Sequence, residues 1–133
     1  MIDFENEIYT KVATALRNEY ENINVTAVYQ NVPAIFPSVS IIQESNTIAT
    51  RYIDSGGIEN VVDVMYEVNV YVNSKNNKKS LCKEIFSVVS DSFVGLGFER
   101  ILAQPIPNED ESIYRMVGRF VAKIDTNKKI SRR

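Results

Sequence analysis

A chain of 133 residues, 44% hydrophobic and 24% charged, is the size of one domain with enough apolar mass for a core, and is neither disordered nor fibrous. It has no histidine and a single cysteine, Cys82, which removes the commonest general base and metal ligand, every Ser-His or Cys-His nucleophile pair, internal disulfides and thiolate zinc cages. A formal charge of −2 and an isoelectric point near 5.2 argue against a dedicated nucleic-acid binder.

The first twelve residues carry three acids before their first base, and no early apolar run predicts a signal peptide. No stretch approaches the roughly 18 apolar residues that span a bilayer. A cytoplasmic site of synthesis is expected. Residues 3–20 then read as an amphipathic helix, with Phe4, Ile8, Val12, Leu16 and Tyr20 recurring every four and Ala13 and Ala15 widening the stripe. Asp3 is the expected N-cap, and Glu5 and Glu7 suit the positive end of the helix dipole.

Val25 to Tyr29 is a short β-type run, and residues 36–42 restart as a strand after Pro33. Glu44, Ser45 and Asn46 read as a turn, with residues 47–52 as the returning strand of a hairpin and Asp54-Ser55-Gly56-Gly57 as a flexible tip. Val61 to Val72 has the clearest strand alternation. Val62, Val64, Tyr66, Val68, Val70 and Val72 share one face, while Asp63, Glu67 and Asn69 punctuate the other. That pattern predicts antiparallel neighbours, with one side packed and one partly wet.

Residues 75–93 form the second predicted helix, capped by Asn73 or Ser74 and ended by Gly95 or Gly97. Cys82 and Phe86 flank its apolar stripe, so the thiol is expected to be packed rather than reactive. Lys75, Lys78 and Lys79 oppose the dipole and are assigned to solubility or a partner. Residues 98–106 form another strand, Asn108-Glu109-Asp110-Glu111 an acidic turn without the ligand spacing of a calcium loop, and residues 112–125 the last strand. The predicted order is α-β-β-β-β-α-β-β, a single α+β domain over 1–133 with a mainly antiparallel sheet and two packed helices.

A mobile basic tail is expected from about 126. Residues 123–133 carry Lys123, Lys128, Lys129, Arg132 and Arg133 against Asp125, a net of +4 that leaves residues 1–122 at −6. The tail reads either as a solvated end or as a segment that orders against an acidic partner or a nucleic-acid backbone.

Neither Gly56-Gly57 nor Gly95-x-Gly97 has the lysine and Ser/Thr of a phosphate-binding loop. No carboxylate spacing selects an acid/base pair. No catalytic, cofactor-binding or metal-ligating residue is assigned. Arg115, Arg119 and Lys123 recur every four along the last strand, so they share a face, with neighbours about 13 Å apart. They fit either a wet face covered by arginine stems or a docking face for an acidic chain.

Phe36-Pro37-Ser38-Val39-Ser40-Ile41, Tyr66-Glu67-Val68-Asn69-Val70-Tyr71-Val72, the helix that follows, Leu96-Gly97-Phe98, and Ser112-Ile113-Tyr114-Arg115-Met116-Val117-Gly118-Arg119-Phe120 occur in an order that resembles the small tail terminator (tail completion, or tail-to-head joining) proteins of tailed bacteriophages and phage-tail-like particles. The resemblance covers most of the chain and rests on fold-setting residues, with no catalytic signature. It implies a structural virion protein of the tail and neck, assembled in the host cytoplasm. Its subunits would form a ring, expected as a hexamer, that caps the tail tube, halts its growth and meets a neck or head connector protein. DNA would make a passing contact in the ring lumen. The expected subunit and tube interface comprises Arg115, Arg119 and Lys123 together with Arg51, Tyr52, Asp54, Gly56 and Gly57 from the excursion. Another head-tail connector protein, or a small cytoplasmic ligand-binding α+β domain, fits the same residues.

Overall fold

A computed structural model describes residues 1–28, 35–48, 61–107 and 111–131. Helix α1 spans Glu5–Glu19 and buries Ile8, Val12, Ala13 and Leu16, the stripe that four-residue spacing places on one side. Phe4 occupies its N-cap position, with no side-chain cap bond. Asp3, the expected N-cap, lies one residue before that position and accepts the Glu5 backbone N–H at 3.1 Å.

Strands β1 (Asn24–Thr26), β2 (Ser38–Ile48) and β3 (Val61–Val72) follow, then α2 (Lys78–Leu96), β4 (Glu99–Ile106), β5 (Tyr114–Asp125) and β6 (Ile130–Ser131). The sheet runs β1-β2-β3-β5-β4, with β6 paired to β5. Every pairing is antiparallel except β1 with β2. The α+β class therefore stands, while the element order differs in two places.

Glu44, Ser45 and Asn46 do not form a turn. The β2 pairing with β3 shifts register between Gln43 and Ser45 and then continues to Ile48 opposite Val62. Gln-Glu-Ser-Asn is polar enough to resemble a loop, but the long β3 supplies backbone partners along its whole length. The polar run is absorbed as a bulge, which accommodates one extra residue without ending the ladder. Residues 49–52, the rest of the expected returning strand, lie outside the described residues, as does Tyr29.

The other difference is at the C-terminal end. The Asp125 side chain accepts the backbone N–H groups of Asn127 and Lys129, each at 2.9 Å, and β6 then lies beside β5 with Ile130 opposite Ile124. Lys128 reaches back to α1, donating to Glu7 at 3.0 Å and lying 5.2 Å from the Phe4 ring centroid. Arg132 and Arg133 lie outside the described residues.

Both helices pack on one side of the sheet. Val62, Val64, Tyr66, Val68, Val70 and Val72 of β3 join Met116, Phe120, Ala122 and Ile124 of β5 in a single core with the helix stripes. Helix α2 starts three residues later than expected, with Asn77 at its N-cap position and Ser74 hydrogen-bonded to the Asn77 side chain. At its other end Gly97 adopts φ +109°, while Gly97 N–H bonds to Val94 C=O and Phe98 N–H to Phe93 C=O, each at 3.0 Å. This is the two-bond closure that a left-handed residue after a helix makes. A side chain at Gly97 would also meet the Ile130 carbonyl at 2.9 Å, so glycine permits both the helix stop and the approach of β6.

Candidate functional site

The side of the sheet away from the helices is written by the period of two in β3 and β5. Asp63, Met65, Glu67, Asn69 and Tyr71 of β3 stand across from Lys123, Val121, Arg119, Val117 and Arg115 of β5. The three cations expected to share a face therefore do share one. Each is engaged within the chain. Lys123 Nζ donates to Asp63 Oδ1 at 2.6 Å, and Arg119 Nη2 lies 3.8 Å from Glu67 Oε1. Arg115 donates through Nε and Nη2 to Asn69 Oδ1 at 3.0 and 2.8 Å, with its guanidinium 5.3 Å from the Tyr71 ring centroid.

This ladder modifies the expectation of a positive face awaiting an acidic chain. Asp63 and Glu67 match two of the three charges locally, and the third stacks over an aromatic face. Cover by arginine stems is thus part of the answer, since Asn69 and Tyr71 are fully buried although both helices pack on the other side. The remaining residues of the expected interface, Arg51, Tyr52, Asp54, Gly56 and Gly57, lie outside the described residues.

The β2 bulge adds a third acid, Glu44, to the face beside Asp63 and Glu67. Glu44 hydrogen-bonds the Glu67 carboxyl, and that bond, followed by burial and the Glu44 charge, raises Glu67 above its ordinary value of 4.5, opposed by Arg119 and Arg115. A carboxyl raised by folding contributes stability below its unfolded value and loses that contribution as pH climbs through the folded one. Glu44→Gln removes the like charge and keeps a donor for Glu67. The variant is expected to gain about 0.5 kcal/mol at neutral pH, an advantage that shrinks toward about pH 4. Thermal denaturation of both chains across that range measures it, and equal pH profiles would refute the coupling.

Among the described residues, three buried polar atoms on this face have no hydrogen-bond partner: Ser40 Oγ, Asn69 Nδ2 and Arg119 Nε. Ser40 stands directly opposite Asn69 in the β2–β3 register, and Arg119 stands opposite Glu67, the next residue on that side of β3. The sequence marked Asn69 as belonging to the wetter face, but nothing local showed that it would be sealed beneath Arg115. Ser40, Glu44 and Tyr71 were missed. Their roles come from strand register, for which a single strand carries no signal.

Elsewhere, Cys82 is fully buried. Its Sγ donates to the Val70 carbonyl at 3.6 Å, and burial pushes the thiol up to about 12, which fits the expected packed role. A cavity of about 220 Å³ opens where β5 meets β6, lined by Val61, Lys123, Asp125, Lys129 and Ser131. It is smaller than sites that enclose drug-sized ligands. Among the described residues no group of three or more Cys, Asp or Glu is placed to hold a metal ion. The expected acidic turn at Glu109 and Asp110 falls outside them. No helix among the described residues is long and apolar enough to cross a membrane.

Neither protein-family models nor curated proteins match this chain.

Proposed function

We propose that the protein is a structural subunit that tiles into a ring, in the manner of the tail terminator proteins it resembles, capping a phage-type tail tube and joining it to the neck. The observation that carries this reading is the helix-free sheet face. It is about 12 residues long in both β3 and β5, and presents half-buried Arg115 and Arg119 over the buried Tyr71, Val117 and Val121. Arginine is enriched where protein surfaces meet, and it concentrates binding energy there. A ring also needs two different complementary patches on each subunit, and the helix layer and this face are chemically distinct.

The reading carries its partners with it: further copies of the chain, a tail-tube protein below, a neck or head connector protein above, and DNA passing through the lumen. Its role is architectural, with no chemical step assigned to any side chain. Sedimentation of the purified chain is expected to show a closed oligomer, with six copies as the expected number. Negative-stain imaging of tails from cells expressing it should place it at the tube end. A chain that stays monomeric at every concentration and never occurs on a particle would end this reading. A complex that stays with the portal instead of the tube end would identify another neck component.

A further inference from the structure

We infer that β4 of one copy pairs edge to edge with β2 of the next, so that the sheet continues from subunit to subunit. The inference rests on the ring reading above and specifies the seam between its copies. Strand β4 ends the sheet, and among the described residues it pairs with β5 alone. Six of its eight residues are exposed, among them Ile101 at 47%. It carries no lysine, and its two charges, Glu99 and Arg100, cancel. Pro105 alone lacks a backbone N–H. Sheets guard a long edge with lysine or by keeping it short, and an apolar edge left open is where a further strand adds.

The opposite edge supplies the mate. β1 covers only Ser38, Val39 and Ser40 of β2, so among the described residues 41–48 have no strand on that side. Both free lengths are eight residues, and each spends one on a bulge, near Ile101 in β4 and at Glu44 in β2. Direction agrees as well. β2, β3, β5 and β4 alternate across the sheet, so β4 runs opposite to β2. A copy laid beside the first in the same orientation therefore meets it antiparallel, the stabler pairing, with both helix layers on one side. β1 requires the second copy to be staggered along the strands, and stagger is what a closing sheet needs.

The faces match across this seam. Ile42 stands opposite Glu67, and Leu102 and Ile106 stand opposite Arg119 and Arg115. All three half-buried apolar side chains thus belong to the helix-free side. With Ile106 set across from Ile42, Leu102 falls across from Thr47 and Arg100 across from Ile48, and every rung keeps its side. Ile101 then adjoins Ile48, each 47% exposed in the single chain. Glu44, the one charge in residues 41–48, comes beside Gln104 and meets no acid. Each copy offers both edges, and the two differ, which is the heterologous contact that closes rings.

Ile101→Lys places a charge on the β4 edge at a position the single chain leaves half exposed. The variant is expected to melt within about 2 °C of the wild type, while its self-association in sedimentation equilibrium weakens roughly 10- to 100-fold. Ile48→Lys should do the same from the other edge. Mixed in equal amounts, the two variants keep one sound edge each, and should form a heterodimer that grows no further. If the wild type associates and Ile101→Lys associates equally well, the inference fails while the ring stands. Weakened association in Ile101→Lys but not in Ile48→Lys would mean that β4 meets some surface other than β2, and overturns the seam as well. A wild-type chain that never associates removes the ring reading itself, and this inference with it.

Discussion

Replacing Phe93 by alanine is expected to cost the folded chain about 3–5 kcal/mol, measured as a shift in urea-denaturation midpoint with an unchanged slope. Phe93 has no exposed surface. Its ring stacks on Phe120 at 4.5 Å and 11° between planes, and meets Phe98 edge-on at 5.2 Å and Tyr66 at 5.4 Å. It thereby ties α2 to β3, β5 and the start of β4. Its backbone carbonyl also receives the Phe98 N–H that closes the helix, so the Phe93–Phe98 contact is the apolar clasp that accompanies such an ending. A loss of this size is a large share of the stability of an ordinary domain. Phe93→Leu fills most of the space and should fall between the two. A cost below about 1 kcal/mol for the alanine variant would mean that the cluster is loosely packed.

Gly118→Val is the second large effect, expected at about 2–3 kcal/mol from overpacking. Gly118 lies in β5 between Val68 and Ala103, on the side covered by α2. A Cβ added there would stand 2.4 Å from Cζ and 2.5 Å from Cε2 of Phe86. Phe86 is itself buried and leans on Phe120 with ring centroids 6.3 Å apart, so its ring has little room to retreat. Alternation alone assigns position 118 to the core side, where a valine would look natural, yet the helix rests directly on the glycine. Combining Gly118→Val with Phe86→Leu should recover part of the loss. A strictly additive double mutant would show that the two positions do not compete for the same space.

Much of this architecture was legible because it is periodic. The spacing of Ile8, Val12 and Leu16, and of Val62 through Val72, is a local property of the chain, and burial follows whichever face is apolar. The same holds for Cys82 on the α2 stripe and for Gly97 at its end, where one residue type satisfies a local backbone demand. The polar run at Glu44 failed for the complementary reason. Composition there reads as a turn, and only the presence of an unbroken β3 alongside makes a bulge the better arrangement.

What only the tertiary structure decided is who faces whom. Arg115 and Asn69 are 46 positions apart and Lys123 and Asp63 are 60 apart, and no local pattern encodes such distances. The amino-acid sequence by itself determined which side of each strand would be apolar and that Arg115, Arg119 and Lys123 would share a face. Strand register, set by the joint burial of several faces at once, decided that these cations find partners at home and that Ser40 and Asn69 are enclosed beside them.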